Sequence, residues 1–142
     1  MARLALVPVA VLAMAIAGQT AAQAAPAEQA AAAPSVTVTP STGLTDGQRV
    51  TVAVTGLTPE AAVGQCTYAE EGPVCNPGSW VQFRTNDGNG STTVPVRQSF
   101  EGYTVAEDGT FAYWGTVDCT RLACVVGATD GVSVVFAALA FR

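Results

Sequence analysis

The residues best equipped for chemistry in this 142-residue chain are its four cysteines, at positions 66, 75, 119 and 124. A thiolate is a nucleophile or a metal ligand, whereas a disulfide is neither. Neither Cys66/Cys75 nor Cys119/Cys124 forms a Cys-x-x-Cys, which argues against a four-thiolate zinc site. Two disulfides among four cysteines have three connectivities. The spacing favours Cys66 with Cys75 and Cys119 with Cys124, because each pair flanks a turn-rich segment and Gly72-Pro73 lies inside the first loop. Closing loops this short is worth about 2 to 3 kcal/mol each in the chain-entropy account.

Little else in the chain is reactive. There is no histidine and no lysine, so neither a Ser-His-Asp or Cys-His arrangement nor a Schiff base can be assembled. The carboxylates at Glu70-Glu71, Glu101, Glu107-Asp108 and Asp118 could in principle supply an acid and a base for glycoside hydrolysis. Adjacent acids in glycine-rich loops read instead as solvated turn residues. The sequence therefore describes a protein that holds something, not an enzyme, with no metal and no required cofactor.

The chain must reach an oxidising compartment for its cysteines to pair. Arg3 is the one charge before an apolar run from Leu4 to Ala17, followed by small-residue sites such as Ala22-Gln23-Ala24. This reads as a secretory signal peptide, too short for the ~20 residues of a membrane span. Residues 1–32 are assigned to this leader and its alanine-rich tail, with cleavage between about 24 and 32, and residues 33–142 to one secreted domain. Removing Arg3 and Glu28 leaves the net charge at −5. An acidic surface with scattered arginines repels phosphate backbones, so the protein itself is not expected to bind duplex DNA.

After the leader the pattern is β. Ser35 to Pro40 and Val50 to Thr55 alternate valine with polar residues, the period of half-buried antiparallel strands. Further strands are predicted at Val63–Tyr68, Val81–Thr85, Ser91–Val96, Tyr113–Asp118 and Val134–Phe141, with the clearest turn at Asn86-Asp87-Gly88-Asn89-Gly90. About seven short strands predict an all-β sandwich of immunoglobulin-like size, without the antibody Cys-Trp-Cys signature. Within Arg97–Cys124, a stapled turn beside a flexible loop carrying Tyr103, Phe111 and Tyr113 would give a wall and a lid for an apolar ligand. The alternative is a stapled hairpin whose aromatics are simply core.

Several phrases occur in order between Pro34 and Phe141: Val36-Thr37-Val38-Thr39-Pro40-Ser41-Thr42-Gly43-Leu44-Thr45-Asp46-Gly47, Val63-Gly64-Gln65-Cys66, Cys75-Asn76-Pro77, Ser99-Phe100-Glu101-Gly102-Tyr103, Trp114 to Cys119, and Ala123-Cys124. With the two cysteine spacings, they make the chain resemble the neocarzinostatin family, the secreted apoproteins of enediyne antitumour antibiotics. The resemblance implies a seven-stranded immunoglobulin-like barrel with a small disulfide-bearing β-ribbon, and between them a cleft for a non-covalently bound enediyne chromophore whose release cuts DNA. Carried over by position, the chromophore-binding residues are Cys66, Tyr68, Val74, Cys75, Trp80, Tyr103, Val105, Val125 and Thr129, with the Cys66–Cys75 disulfide as floor.

The departures fall on the rim. Val105 stands where a pocket aromatic is expected, Tyr103 to Tyr113 is longer than the family's loop, Val125 replaces a polar contact, and Asp130 to Val135 is short and apolar. The resulting expectation is a monomeric secreted carrier of an apolar aromatic small molecule, touching DNA only through its cargo and having no membrane partner. The alternative is a secreted immunoglobulin-like binding module for another small ligand or a protein partner, with no antibiotic cargo.

Overall fold

The computed structural model describes residues 32–142; the leader, apart from Ala32, lies outside the described residues. Ten strands run β1 (Ser35–Thr39), β2 (Arg49–Thr55), β3 (Glu60–Ala69), β4 (Gly72–Cys75), β5 (Val81–Arg84), β6 (Gly90–Pro95), β7 (Ser99–Val105), β8 (Phe111–Asp118), β9 (Cys124–Thr129) and β10 (Val134–Leu139). A 3₁₀ turn, Pro77–Ser79, precedes β5.

Alternation builds the two layers. In β1 and β2 every second residue, Val36, Val38, Val50, Val52 and Val54, is buried, while the threonines between them face water. These strands pair with β6 in a three-stranded antiparallel sheet. The second sheet has the order β10-β9-β3-β4-β7-β8, with β5 also paired to β3. Val63, Val74, Val94, Val96, Phe100, Val117 and Val126 fill the space between the layers. This is the immunoglobulin-like sandwich that the strand pattern predicts, with three strands more than periodicity alone finds. The missed ones, β4, β7 and β9, are short or carry Gly72, Pro73, Gly102 or Gly127, residues that weaken a strand signal without preventing pairing inside a sheet.

The segment Tyr103 to Tyr113, expected as a flexible lid, is a β-ribbon instead. Tyr103, Thr104 and Val105 pair with Tyr113, Ala112 and Phe111. A short turn joins the two strands, with the Ala106 N–H donating to the Thr110 carbonyl at 2.9 Å. Both disulfides join neighbours in sequence, Cys66 to Cys75 and Cys119 to Cys124. The first crosses the β3–β4 hairpin between residues that face each other in register, and the second closes the turn between β8 and β9.

Strand β3 is the pivot of the fold. One edge pairs with β9 from Ala62 to Thr67. The other forks, pairing with β5 over Glu60–Val63 and with β4 over Cys66–Ala69. At the fork the backbone groups of Gln65 are satisfied by the connecting turn: its N–H donates to Ser79 Oγ at 2.8 Å, and its carbonyl accepts from the Asn76 N–H at 2.8 Å. The Gln65 carboxamide lies wholly buried, donating to the Arg97 carbonyl at 2.6 Å and accepting from the Arg97 N–H at 2.8 Å. A buried amide satisfied in this way fixes its strand; an unsatisfied one would cost about 1 to 3 kcal/mol.

Candidate functional site

The connection that plugs the fork also delivers an aromatic wall. Asn76 caps the 3₁₀ turn, its Oδ1 accepting from the Gly78 N–H at 3.0 Å, and Pro77 pre-sets the first turn residue. Ser79 Oγ, besides accepting from Gln65, donates to the Asn76 carbonyl at 2.8 Å. The next residue, Trp80, is thereby laid over Gly64 of β3, so closely that a Cβ at Gly64 would stand 2.7 Å from Trp80 Cε3.

Gly64 faces Gly127 of β9 directly, and Gly127 faces Phe136 of β10. Two glycines side by side hollow the outer face of the sheet. A Cβ on Gly127 would meet Phe136 Cε1 at 3.3 Å, so the Phe136 ring leans into the space that a side chain would have filled. The result is an apolar cavity of about 170 Å³, lined by the Cys66 and Cys75 disulfide, Pro73, Trp80, Val105, Gly127, Ala128, Thr129, Val134 and Phe136. Thr129, its one polar side chain, has its hydroxyl engaged by the Gly131 N–H at 3.0 Å. Trp80, Val105, Val134 and Phe136 remain exposed around it.

Five of the nine residues carried over by the resemblance, Cys66, Cys75, Trp80, Val105 and Thr129, come together here. Tyr68 lies beside them, its ring edge-on to Phe136 with centroids 4.9 Å apart, and partial burial raises its phenol above the ordinary range. Val74 does not reach the cavity: neighbouring strand residues point to opposite faces, and with Cys75 outward Val74 is sealed in the core against Gly102. Val125 faces Cys66 in register but is not among the lining residues. Tyr103 lines a larger neighbouring trough of about 830 Å³ with Phe111, Glu101 and the Asn76–Gly78 segment. Its ring packs edge-on to Tyr113 at 5.6 Å, and the adjacent Glu101 carboxylate raises the Tyr113 hydroxyl.

Phe136, Gly127, Val134 and Pro73 line the cavity without having been singled out from the sequence. A signal for Phe136 is present: Val134–Leu139 is apolar on both faces, whereas β1 and β2 are apolar on one, and a strand apolar on both sides needs something over each. Gly127 interrupts a strand interior, a mark of close approach by another group.

Among the described residues there is no free cysteine and no group of three or more potential metal ligands, and no helix is long and apolar enough to cross a membrane. The carboxyls of Asp108, Asp118 and Asp130 are held below their ordinary value by hydrogen bonds from Thr110, Thr120 and Ser133 respectively, which is the behaviour of turn-capping acids.

A sequence profile described as the Neocarzinostatin family matches residues 36–139. Macromomycin of Streptomyces macromomyceticus is 43% identical over 96 residues, 65% of this chain and 65% of that relative's length. The antitumor antibiotic C-1027 apoprotein of Streptomyces globisporus is 38% identical over 147 residues, 98% of this chain and 92% of the relative. Among solved structures, macromomycin superposes with a TM-score of 0.69 at 38% identity, covering 78% of this chain and 100% of that one. The solution structure of apokedarcidin gives 0.60 at 34% identity with the same coverage.

Proposed function

This chain belongs to the neocarzinostatin family, and from that membership we propose that it is a secreted apoprotein that binds, protects and delivers an apolar enediyne-type chromophore without covalent attachment. The observation that carries the proposal is the apolar cavity hollowed at Gly64 and Gly127, floored by the Cys66–Cys75 disulfide and walled by Trp80 and Phe136. A reactive apolar cargo needs a concave site with aromatic faces and no nucleophile at hand. This chain has no lysine and no histidine, and its cysteines are all paired.

Size divides the cargo. Small-molecule sites usually enclose about 300 to 1,000 Å³, and the cavity offers about 170 Å³. It therefore holds one aromatic unit, while the remainder lies along the trough beside Tyr103 and Phe111. With the β7–β8 ribbon paired along its length, uptake and release proceed by side-chain movement at Trp80, Val105 and Phe136, not by the opening of a loop. Released chromophore is the agent that cleaves DNA and gives antibacterial or cytotoxic action; the protein is the carrier and not an enzyme. In this reading residues 33–142 are the mature carrier, exported by the leader, and act as a monomer.

Native mass spectrometry of the protein from its own culture tests the proposal. The expected result is a labile small molecule, removed by organic solvent. Protein that is consistently bare, and that also fails to bind aromatic enediyne analogues, would overturn it in favour of a binding module with another ligand or partner.

A further inference from the structure

A second recess lies beside the tip of the β3–β4 hairpin, a groove of about 630 Å³ lined by Tyr68, Ala69, Glu70, Glu71, Trp114 and Leu122. Three of these are large apolar side chains left exposed, Tyr68 by 50%, Trp114 by 38% and Leu122 by 38%. Trp114 is where the β7–β8 register slips, the residue skipped between the Gly102–Gly115 and Tyr103–Tyr113 pairs. Its indole N–H donates to Glu71 Oε2 at 3.4 Å, which ties a ring on the edge strand to a carboxylate on the hairpin. No basic side chain lines the groove. Arg121, next to Leu122 in sequence, is not among the residues that line it.

We propose that this groove is a second ligand site, distinct from the apolar cavity, that takes an organic cation: a protonated or quaternary amine carried on an apolar group. An indole face attracts a cation through its quadrupole, and two carboxylates supply the matching charge. Leu122 and Ala69 give the apolar substituents a surface, which an inorganic ion would not use. The net charge of −5 favours the approach of such a ligand from solution. An anion or a phosphate is excluded by Glu70 and Glu71, and an uncharged apolar molecule would leave both carboxylates partly desolvated without a counter-charge. Tyr68, whose ring packs on Phe136, lies between the two sites, but Glu70, Glu71, Trp114 and Leu122 line only this groove, so its preference for a cation is set apart from what the cleft between Trp80 and Phe136 carries.

The probe is benzyltrimethylammonium, compared with its uncharged isostere neopentylbenzene, on the full mature protein. Nitrogen-edited NMR follows the two indole N–H signals, one from Trp80 and one from Trp114. The ammonium compound is expected to shift the Trp114 signal and leave Trp80 in place, with the isostere binding at least about tenfold more weakly. One unit charge about 4 Å away in a water-like medium changes an equilibrium constant about fivefold. Changing Glu70→Gln and Glu71→Gln together should therefore weaken the ammonium compound by an order of magnitude or more at low salt, and added salt should weaken it in the unmodified protein. Trp114→Ala should abolish binding. Since that variant removes a partly buried ring, the Gln pair is the decisive one if Trp114→Ala does not fold. Equal binding of the two isosteres, a shift confined to Trp80, or an unchanged affinity in the Gln pair would overturn the proposal.

Discussion

Replacing Gly64 with alanine separates the fold from the site. The new Cβ would lie 2.7 Å from Trp80 Cε3 and 3.3 Å from Cζ3, so the indole must move. Trp80 is 40% exposed and can swing outward. Gly64 is not in the left-handed region, so alanine also gains about 0.4 to 1 kcal/mol by restricting the unfolded chain. That gain roughly offsets the strain on a yielding ring, and stability should change by less than about 1 kcal/mol. Gly102→Ala is the control. Its Cβ would stand 2.5 Å from Val74 Cγ1 and 2.8 Å from Val117 Cγ2, both fully buried with nowhere to move. Overpacking of that kind costs about 1 to 3 kcal/mol, or a fall in Tm of several degrees or more. Binding of an apolar naphthyl probe should behave in the opposite way. Gly64→Ala displaces an aromatic wall worth about 0.5 to 1.5 kcal/mol, a weakening of up to about tenfold, and moves Trp80 emission to longer wavelength in a Trp114→Phe background. Gly102→Ala should leave the affinity of the folded protein nearly unchanged. If Gly64→Ala costs as much stability as Gly102→Ala while the probe binds normally, Trp80 is core and not wall, and the site has been misassigned.

Three further outcomes follow from the same contacts. Ser79→Ala removes the acceptor for the Gln65 N–H, and an orphaned buried N–H costs about 1 to 3 kcal/mol; urea denaturation should show that loss, accompanied by a drop in Trp80 anisotropy. Asp130 caps the β9–β10 turn, accepting from Ser133 at 2.7 Å and Val132 at 3.0 Å, and its folded pKa is lowered from the ordinary 3.8 first by Ser133 and then by Val132. The turn is therefore stabilised above pH 4 and loses that stabilisation as pH falls through the lowered value. Amide exchange at Val132 and Ser133, referred to the intrinsic rate at each pH, should show protection falling there, and Asp130→Asn should remove the pH dependence. Finally, Arg84 pairs with Glu60 at 3.7 Å and Arg97 with Asp46 at 3.4 Å, while Arg49 bonds Thr93 on the neighbouring strand β6. With no cluster to displace counterions, apoprotein should show no salt-sensitive duplex binding in fluorescence anisotropy at physiological ionic strength, and a micromolar complex that weakens steeply with salt would contradict the charge argument.

Much of this was legible in the sequence where the cause is local. The valine alternation of β1 and β2 is a property of adjacent residues, and the cysteine spacings carry their own pairing. What periodicity missed depends on partners far along the chain. Strand β4 has four residues, one a glycine and one a proline, and is a strand because β3 and β7 flank it. The ribbon from Tyr103 to Tyr113 reads as a loop because Gly109 and two acids punctuate its middle, and only the turn geometry shows how few residues are unpaired. The site divides in the same way. Its floor and Trp80 follow from cysteine-anchored resemblance, whereas the facing of Gly64 with Gly127 is a matter of register between distant strands, which one sequence cannot display.

The cleft is itself a consequence of how β3 is paired. A strand can accept two partners on one edge only if the chain joining them leaves the plane of the sheet. Here that chain is Asn76 to Trp80, running from the end of β4 to the start of β5. Its exit must satisfy the backbone N–H and carbonyl of Gln65, which face the fork where neither β4 nor β5 pairs them, and Ser79 and Asn76 do so. Once they do, the residue after Ser79 has nowhere to go but back over the sheet, across the residue before Gln65. That residue is Gly64, and any larger side chain there would collide with the returning ring. The aromatic wall, the glycine beneath it and the disulfide that holds β4 to β3 therefore arise from one requirement, that of closing the fork. A change to the cargo can then be met at the rim, through Val105, Val134 or Phe136, without disturbing the fork. Substitution at those three positions should alter which aromatic probe binds while leaving Tm within a few degrees, whereas substitution at Ser79 or Gly64 should affect every probe alike.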